Sequence, residues 1–119
     1  MYGGKVEFLE APFGDRPSLD QIRAKLEAAR SSPYKLITIT QVDTSTGVLM
    51  DVAAISALIR DISPSTLIAV DGVCSLGGET FKMEEWGVDV SMTASQKALG
   101  VPPGLAVMMF SQRALVHPS

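Results

Sequence analysis

The chain has 119 residues, of which 46% are hydrophobic and 19% are charged. This length fits one ordinary domain, and the apolar fraction is typical of a globular protein rather than a disordered one. Ten basic and thirteen acidic residues give a net charge of -3. That balance argues against nucleic acid as the main partner, because such a partner calls for a clustered basic face.

Four further features are excluded by the sequence. No apolar run approaches the roughly 20 residues that a membrane-spanning helix needs, so no membrane segment is predicted. Met1–Phe8 lacks the basic and apolar stretches of a secretory signal, so none is expected. Cys74 is the only cysteine, which rules out an internal disulfide and a cysteine-rich zinc site.

The first predicted elements are a strand and a helix. Lys5–Leu9 is short and apolar enough to predict a strand, and a loop with prolines and a glycine follows at 11–17. Ser18 is a typical helix N-cap, and Gln21 three residues later completes a capping box. A helix is therefore predicted from Ser18 to about Ala29.

Strands and helices then alternate along the chain. The pattern predicts a buried strand at Tyr34–Thr40, a helix at Val52–Ile62 capped by Asp51, a buried strand at Leu67–Val70, strands at Val88–Thr93 and Leu105–Phe110, and a helix from about Ser111. This alternation predicts a single α/β domain over residues 1–119 with a largely parallel sheet.

Three polar loops follow predicted strands. They are DTSTG at 43–47, DGVCS at 71–75 and TASQK at 93–97. Open parallel sheets bind ligands outside the carboxyl ends of their strands, so we expect these loops to share one rim. That rim would combine hydroxyls with a carboxylate, an amide and an amine.

Each polar group on this rim has an ordinary interpretation beside the functional one. Asp71 lies at the mouth of a buried strand, where an aspartate also serves as a turn former. Lys97 could be a solvated lysine, but its neighbours at 98–103 form a stiff apolar frame in which its amine would be desolvated and nucleophilic. The hydroxyls at 44–46 either satisfy turn amides or hold a phosphate.

Taken together, the amine and the carboxylate suit one chemistry. A lysine forms a Schiff base with an aldehyde cofactor, and a carboxylate pairs with a protonated pyridine nitrogen. The spacing from Asp71 to Lys97 allows one intervening strand, which places both at the same edge of the sheet. The combination is typical of a pyridoxal phosphate site.

Three stretches resemble the class V aminotransferases. They are DTSTGVL at 43–49, LIAVDGVCSLGG at 67–78 and WGVDVSMTASQKALGVPPGLAV at 86–107. The alanine–glyoxylate and serine–pyruvate branch is the most similar. The resemblance covers nearly the whole chain, and it implies a three-layer α/β fold that forms part of the large domain of fold-type I pyridoxal phosphate enzymes.

The resemblance implies a role for five residues. Lys97 matches the lysine that forms the Schiff base with pyridoxal phosphate and then moves the substrate proton, and Asp71 matches the carboxylate that faces the pyridine nitrogen. Val73 matches the small apolar residue packed against the ring. Ser45 and Gln96 match positions that hydrogen-bond to the cofactor, Gln96 towards its phosphate.

The implied reaction transfers an amino group from alanine, or serine, to glyoxylate. The implied partners are a small amino acid and a 2-oxo acid, with a homodimer in the full-length family member and neither nucleic acid nor a membrane. Two alternatives stay open: another small amino donor with the same cofactor, and a truncated product that acts only as an association module. Peroxisome, mitochondrion and cytosol all fit the resemblance.

Family members are much longer, and this chain matches the middle of their large domain. The helix start that cradles the phosphate and the arginine that binds the substrate carboxylate have no counterpart here, since Arg113 does not match that arginine. We therefore expect the chain alone to be catalytically incomplete. We also expect Leu36–Ile39 and Leu105–Phe110 to lack part of their cover.

Overall fold

The computed structural model describes residues 4–116, which form four strands and three helices. In chain order these are α1 (Leu19–Ala28), β1 (Leu36–Thr40), α2 (Val52–Ile62), β2 (Leu67–Asp71), β3 (Val90–Ala94), β4 (Ala106–Phe110) and α3 (Gln112–Val116). None of these helices is long and apolar enough to cross a bilayer. The predicted α/β class is confirmed.

The four strands form one open sheet in the order β1-β2-β3-β4. β1, β2 and β3 run parallel, with Asp71 placed between Thr40 and Met92 in the register. β4 runs antiparallel to β3, so it starts at the edge where β3 ends. The loops that leave β1, β2 and β3 and the loop that enters β4 therefore all lie at one edge of the sheet.

Both main helices begin at the caps that the sequence predicts. The Ser18 hydroxyl accepts from the Gln21 N–H at 3.2 Å, and the Gln21 side chain accepts from the Ser18 N–H at 2.8 Å. Asp51 Oδ1 accepts from the Ala54 N–H at 3.0 Å. Each such cap stabilises its helix by about 1 kcal/mol, so local signals fix where the helices start.

The hydrophobic core lies between the helices and one face of the sheet. Its buried residues are Leu26, Ile39, Val52, Ile55, Leu58, Ile59, Ile68, Val70 and Val88. Ile59, Ile68 and Val70 have no exposed surface. Because residues alternate faces along a strand, Asp71 follows Val70 onto the opposite face of β2. A fully packed strand thus ends directly at a candidate catalytic carboxylate.

The opposite face of the sheet is much more open. Leu36, Met108 and Phe110 lie on it and are 49%, 50% and 49% exposed. All five residues of β4 are exposed. The prediction that Leu105–Phe110 lacks part of its cover is confirmed, because β4 is an exposed edge strand. In β1 the prediction holds for Leu36, which is exposed, but not for Ile39, which is buried.

Three strand predictions need correction. Lys5–Leu9 is not a strand, because it lies exposed and pairs with no strand among residues 4–116. The strand predicted at Tyr34–Thr40 starts at Leu36, and only Ile39 is fully buried, since β1 is an edge strand covered on one face. The strand predicted at Val88–Thr93 covers 90–94 instead.

A buried ion pair that the sequence did not indicate closes the amino edge of the sheet. Asp89 is 2% exposed, and its Oδ2 accepts from Arg60 Nη2 at 2.5 Å and from the Ile68 N–H at 2.8 Å. Its Oδ1 accepts from the Ser111 hydroxyl at 3.1 Å. Arg113 Nε lies 3.9 Å from the same carboxylate. One side chain therefore joins α2, β2 and the end of β4.

Candidate active site

Asp71 is the last residue of β2 and is half-buried. Its Oδ1 accepts from the Val73 N–H at 3.0 Å, which is the turn-forming role expected of an aspartate at a strand end. Its Oδ2 has no hydrogen-bond partner among residues 4–116. The two interpretations of Asp71 are therefore compatible, because one oxygen holds the turn and the other is available to a ligand.

Gly72 allows the chain to turn sharply after Asp71. Its N–H donates to the Met92 carbonyl at 2.9 Å, which keeps the turn against β3. A Cβ at this position would lie 2.6 Å from the Leu76 side chain, closer than real Cβ contacts. The absence of a side chain at residue 72 thus leaves room for the Leu76 side chain to pack against the turn.

The loop that carries Ser45 is held by Asp43. The Asp43 carboxylate accepts from the Thr46 hydroxyl at 2.6 Å and from the Thr46 N–H at 2.9 Å. The Thr46 hydroxyl bond is the main cause that lowers the pKa of Asp43 below its usual value, with the backbone N–H groups of Thr46 and Ser45 adding to it. Thr46 thus satisfies the turn, while Ser45 at the tip is exposed.

Lys97 lies in the turn after β3, beside Gln96, and both residues are exposed. Ser95 closes the base of this loop, since its hydroxyl donates to the Pro102 carbonyl at 2.7 Å and its N–H donates to Leu105 at 3.1 Å. The apolar frame expected to desolvate Lys97 does not cover it, because Leu99 is itself 46% exposed. The Lys97 side chain is therefore exposed within residues 4–116.

Contacts connect the first loop to the second, and the second loop region to the third. The Thr44 hydroxyl oxygen lies 2.8 Å from the sulfur of Cys74, which joins the first loop to the second. A Cβ built at Gly78 would lie 3.2 Å from the Ala98 Cβ, so the turn that continues the second loop lies against the residue that follows the third. The shared rim predicted from the sequence is therefore present in the fold. Cys74 is half-buried.

Sequence reasoning missed Gln41, the residue that follows β1. It is 3% exposed, and its side chain bonds both to the Ser75 hydroxyl and to the Thr80 carbonyl. In the sequence, Gln41 is only the first polar residue of a predicted loop. No local pattern indicates it, because its partners are 34 and 39 residues away.

The rim offers three kinds of chemistry. Lys97 has no ion-pair partner among residues 4–116, so its amine is accessible as a nucleophile or base. Asp71 Oδ2 can accept from a cationic N–H group. The exposed Ser45 hydroxyl and Gln96 amide can donate to an anion.

Asp71 and Lys97 lie at the carboxyl edge of a parallel sheet, where open α/β domains bind their ligands. The family model "Aminotransferase class-V" matches residues 2–118, and the chain belongs to this family. The chain is 45% identical over 113 residues to "Alanine--glyoxylate aminotransferase 1" of Saccharomyces cerevisiae, a match that covers 94% of this chain and 29% of the relative.

A second relative and a solved structure are also aminotransferases. "L-aspartate--glyoxylate aminotransferase" of Paracoccus denitrificans is 38% identical over 114 residues, which is 96% of this chain and 29% of the relative. The crystal structure of an alanine–glyoxylate aminotransferase from Nostoc sp. superposes with a TM-score of 0.85 at 36% identity, covering 96% of this chain and 29% of that one. The chain therefore spans less than a third of the length of the relatives it matches.

Proposed function

We propose that this chain is part of the large domain of an aminotransferase that uses pyridoxal phosphate to transfer an amino group to glyoxylate. The observation that carries the proposal is the placement of Asp71 and Lys97 on contacting loops at one edge of the sheet, in a chain of this family. The first carries an available carboxylate oxygen, and the second an accessible amine.

The residues of the rim fit this cofactor. When bound, pyridoxal phosphate supplies an aldehyde that condenses with an amine and a protonated pyridine ring that accepts electrons. Asp71 would use its Oδ2 to hold the proton on the ring nitrogen, while the Val73 N–H keeps the other oxygen in place. A carboxylate anchored through one oxygen in this way is pre-oriented, which reduces the cost of holding the ring.

Lys97 would attach the cofactor through Nζ and later move the proton at the substrate Cα. Its loop supports both tasks, because the Ser95 bonds at the base restrain the loop while the lysine itself stays accessible. Proton transfer by a positioned side chain accelerates a reaction about 10²–10⁴-fold.

Ser45, Gln96 and Val73 would bind and orient the cofactor. Ser45 and Gln96 are exposed polar residues on two loops of the same rim, and Gln96 would donate towards the phosphate. Val73 follows the rigid Gly72 turn and would pack against the ring face. These three residues account for binding rather than for the chemical step.

The names of the relatives support the acceptor more strongly than the donor. Four of the relatives, which share 34–45% identity with this chain, have names that combine alanine, aspartate or serine with glyoxylate, whereas two others in this range are named as soluble hydrogenase subunits. We therefore propose glyoxylate as acceptor and alanine or serine as donor, with another small amino acid as the alternative. A homodimer of the full-length protein belongs to the same proposal.

A second candidate function is that of a non-catalytic association module. The observation that favours it is the uncovered strand β4, all of whose residues are exposed. The complete reading frame around this segment decides between the two. A following domain that supplies an arginine for the substrate carboxylate supports the enzyme, and a natural end at Ser119 supports the module.

The proposed activity is tested on the protein expressed from its complete reading frame. Purified protein is loaded with pyridoxal phosphate and given glyoxylate with alanine, serine or aspartate in parallel, and glycine formation is measured. We expect turnover with alanine or serine, and loss of it in the Lys97→Ala variant. Turnover that is equal in wild type and Lys97→Ala would contradict the proposal.

A further inference from the structure

Gln41 lies at the point where the first two loops of the rim meet, and all of its polar groups are bonded. Its N–H donates to the Asp71 carbonyl at 2.9 Å, and its own carbonyl accepts from the Met50 N–H at 2.8 Å. Its side-chain Nε2 donates to the Thr80 carbonyl at 3.0 Å, and its Oε1 accepts from the Ser75 hydroxyl at 2.7 Å. The side-chain amide is thus hydrogen-bonded at both ends, and Gln41 is 3% exposed.

These two side-chain bonds hold both ends of the segment 75–80, which we call the clamped turn. Ser75 is 1% exposed, and its N–H donates to the Gly72 carbonyl at 3.1 Å. A displacement of the clamped turn would therefore also displace Gly72 and Val73, because this hydrogen bond connects them to Ser75. Cys74, next to Ser75, contacts the loop of Ser45 through Thr44.

We propose that Gln41 is a positioning residue for the cofactor site. Its amide ties the clamped turn to the end of β1, and so it sets the position of Asp71 and Val73 relative to Ser45. The inference rests on the proposed function, because it assigns Gln41 to the site that these residues form. Gln41 touches none of the reacting atoms and acts only through the turn that it holds.

The same contacts extend the effect to the lysine loop. Gly77 and Gly78 of the clamped turn lie against Leu99 and Ala98, where an added Cβ would be 3.0 Å and 3.2 Å away. Because the two segments pack so closely, neither can move without displacing the other. A displaced turn would therefore also move the loop that carries Lys97.

The variant that tests the proposal is Gln41→Leu, which keeps the approximate volume and removes both side-chain bonds. The first measurement is hydrogen exchange in the full-length protein without cofactor, at the Gly78 and Glu79 amides that bond to the Ser75 carbonyl. We expect these amides to exchange about tenfold faster, since one net hydrogen bond is worth about a factor of ten. Amides in the middle of α2 should keep their rates.

The second measurement is the Kd for pyridoxal phosphate, which a merely structural role would leave unchanged in folded protein. We expect Gln41→Leu to raise this Kd about tenfold. Ser75→Ala, which removes only one of the two bonds, should raise it less, and adding it to Gln41→Leu should change little further, because its partner is already gone. If Gln41→Leu fails to fold, Ser75→Ala carries the test alone.

The matched control is Ser56→Ala. Ser56 is also fully buried, but its hydroxyl has no partner among residues 4–116 and it lies on α2, outside the rim. It should change neither measurement. Faster exchange with an unchanged Kd, or effects of Gln41→Leu no larger than those of Ser56→Ala, would overturn the proposal. Wild-type protein that binds no cofactor would instead refute the proposed function, and hence the role of Gln41 within it, while the exchange data would still report the clamp.

Discussion

Lys97 differs from the other lysines of the chain by its position rather than by its burial. Lys82 pairs with Glu85 at 2.9 Å, and Lys35 precedes β1 at the opposite edge of the sheet. Lys97 follows β3 at the edge where Asp71 ends β2. A lysine that forms a covalent bond with a cofactor must be able to reach it, and this edge provides the access.

Covalent labelling tests this assignment directly. We expect borohydride reduction of the full-length protein with pyridoxal phosphate to fix the cofactor on the peptide that contains Lys97. Peptide mapping by mass spectrometry identifies the labelled residue. Lys82 and Lys35 are internal controls, and label found on either of them instead of Lys97 would show that the assignment is wrong.

Asp71→Asn separates the charge of Asp71 from its structural role. The asparagine oxygen can still accept from the Val73 N–H, so the turn should persist and the thermal midpoint should stay close to that of wild type. Loss of the negative charge removes the group that keeps a pyridine nitrogen protonated. We expect transamination in the full-length protein to fall by at least about 100-fold. A rate near that of wild type contradicts the role.

Ser45 and Gln96 should contribute to cofactor affinity more than to turnover. Each neutral hydrogen bond is worth roughly 0.5–1.5 kcal/mol, so alanine at either position should weaken binding by about tenfold. The measurement is the Kd of full-length variants, together with kcat at saturating cofactor. An alanine variant with unchanged cofactor affinity and a large loss of turnover would contradict this prediction.

At the level of the elements, the sequence predicts what local chemistry decides. The caps at Ser18 and Asp51 are local, so the starts of both helices are confirmed. Lys5–Leu9 has the composition of a strand but no neighbour to pair with, and pairing is a tertiary property. Gln41 and Asp89 were missed for the same reason, because their partners are distant in the chain.

In the candidate site, too, the sequence predicts what depends on local pattern and topology, but not what depends on tertiary contacts. The three rim loops were predictable because parallel strands place their carboxyl ends together, and the fold confirms that the loops touch. The exposure of Lys97 was not predictable, since the apolar frame around it depends on what packs over the loop. The roles of Lys97, Asp71, Ser45, Gln96 and Val73 stay predictions.

Asp89 should be the most sensitive ionic residue of the fold. Replacing it with alanine leaves Arg60 and the Ile68 N–H without their acceptor, and removing one partner of a buried pair costs about 3 kcal/mol or more. The free energy of unfolding from urea titration measures this loss. Glu85→Ala, which removes an exposed pair with Lys82, should cost no more than about 0.5 kcal/mol. Equal effects of the two variants would contradict the account.

The whole molecule has one well-covered face and one open edge. The helix side of the sheet holds the core, whereas β4 presents Val107, Met108, Met109 and Phe110 at 42–50% exposure. The strand has no charge and no proline, which are the usual features that protect an edge from pairing with another chain. The 119-residue chain on its own therefore exposes a surface that favours self-association.

The last prediction concerns this isolated chain, which we expect to bind pyridoxal phosphate weakly and to show no measurable transamination. Lys97 would react with the aldehyde much as any accessible amine does, because its side chain is exposed among residues 4–116. Arg113 cannot bind the substrate carboxylate at the rim, since its Nη2 donates to the Thr66 carbonyl at 3.1 Å, at the opposite edge of the sheet.

Without a group that orients the substrate, the chain loses the contribution of positioning, which can reach about 7–11 kcal/mol of the barrier. The purified chain is titrated with cofactor while absorbance is followed, assayed with alanine and glyoxylate, and sized by light scattering. We expect no saturation in the micromolar range, no glycine, and species larger than a monomer. A charged residue in the edge strand, as in Met108→Lys, should reduce the association without restoring activity. Saturable micromolar binding with turnover would instead show that the segments found only in the longer relatives are dispensable for catalysis.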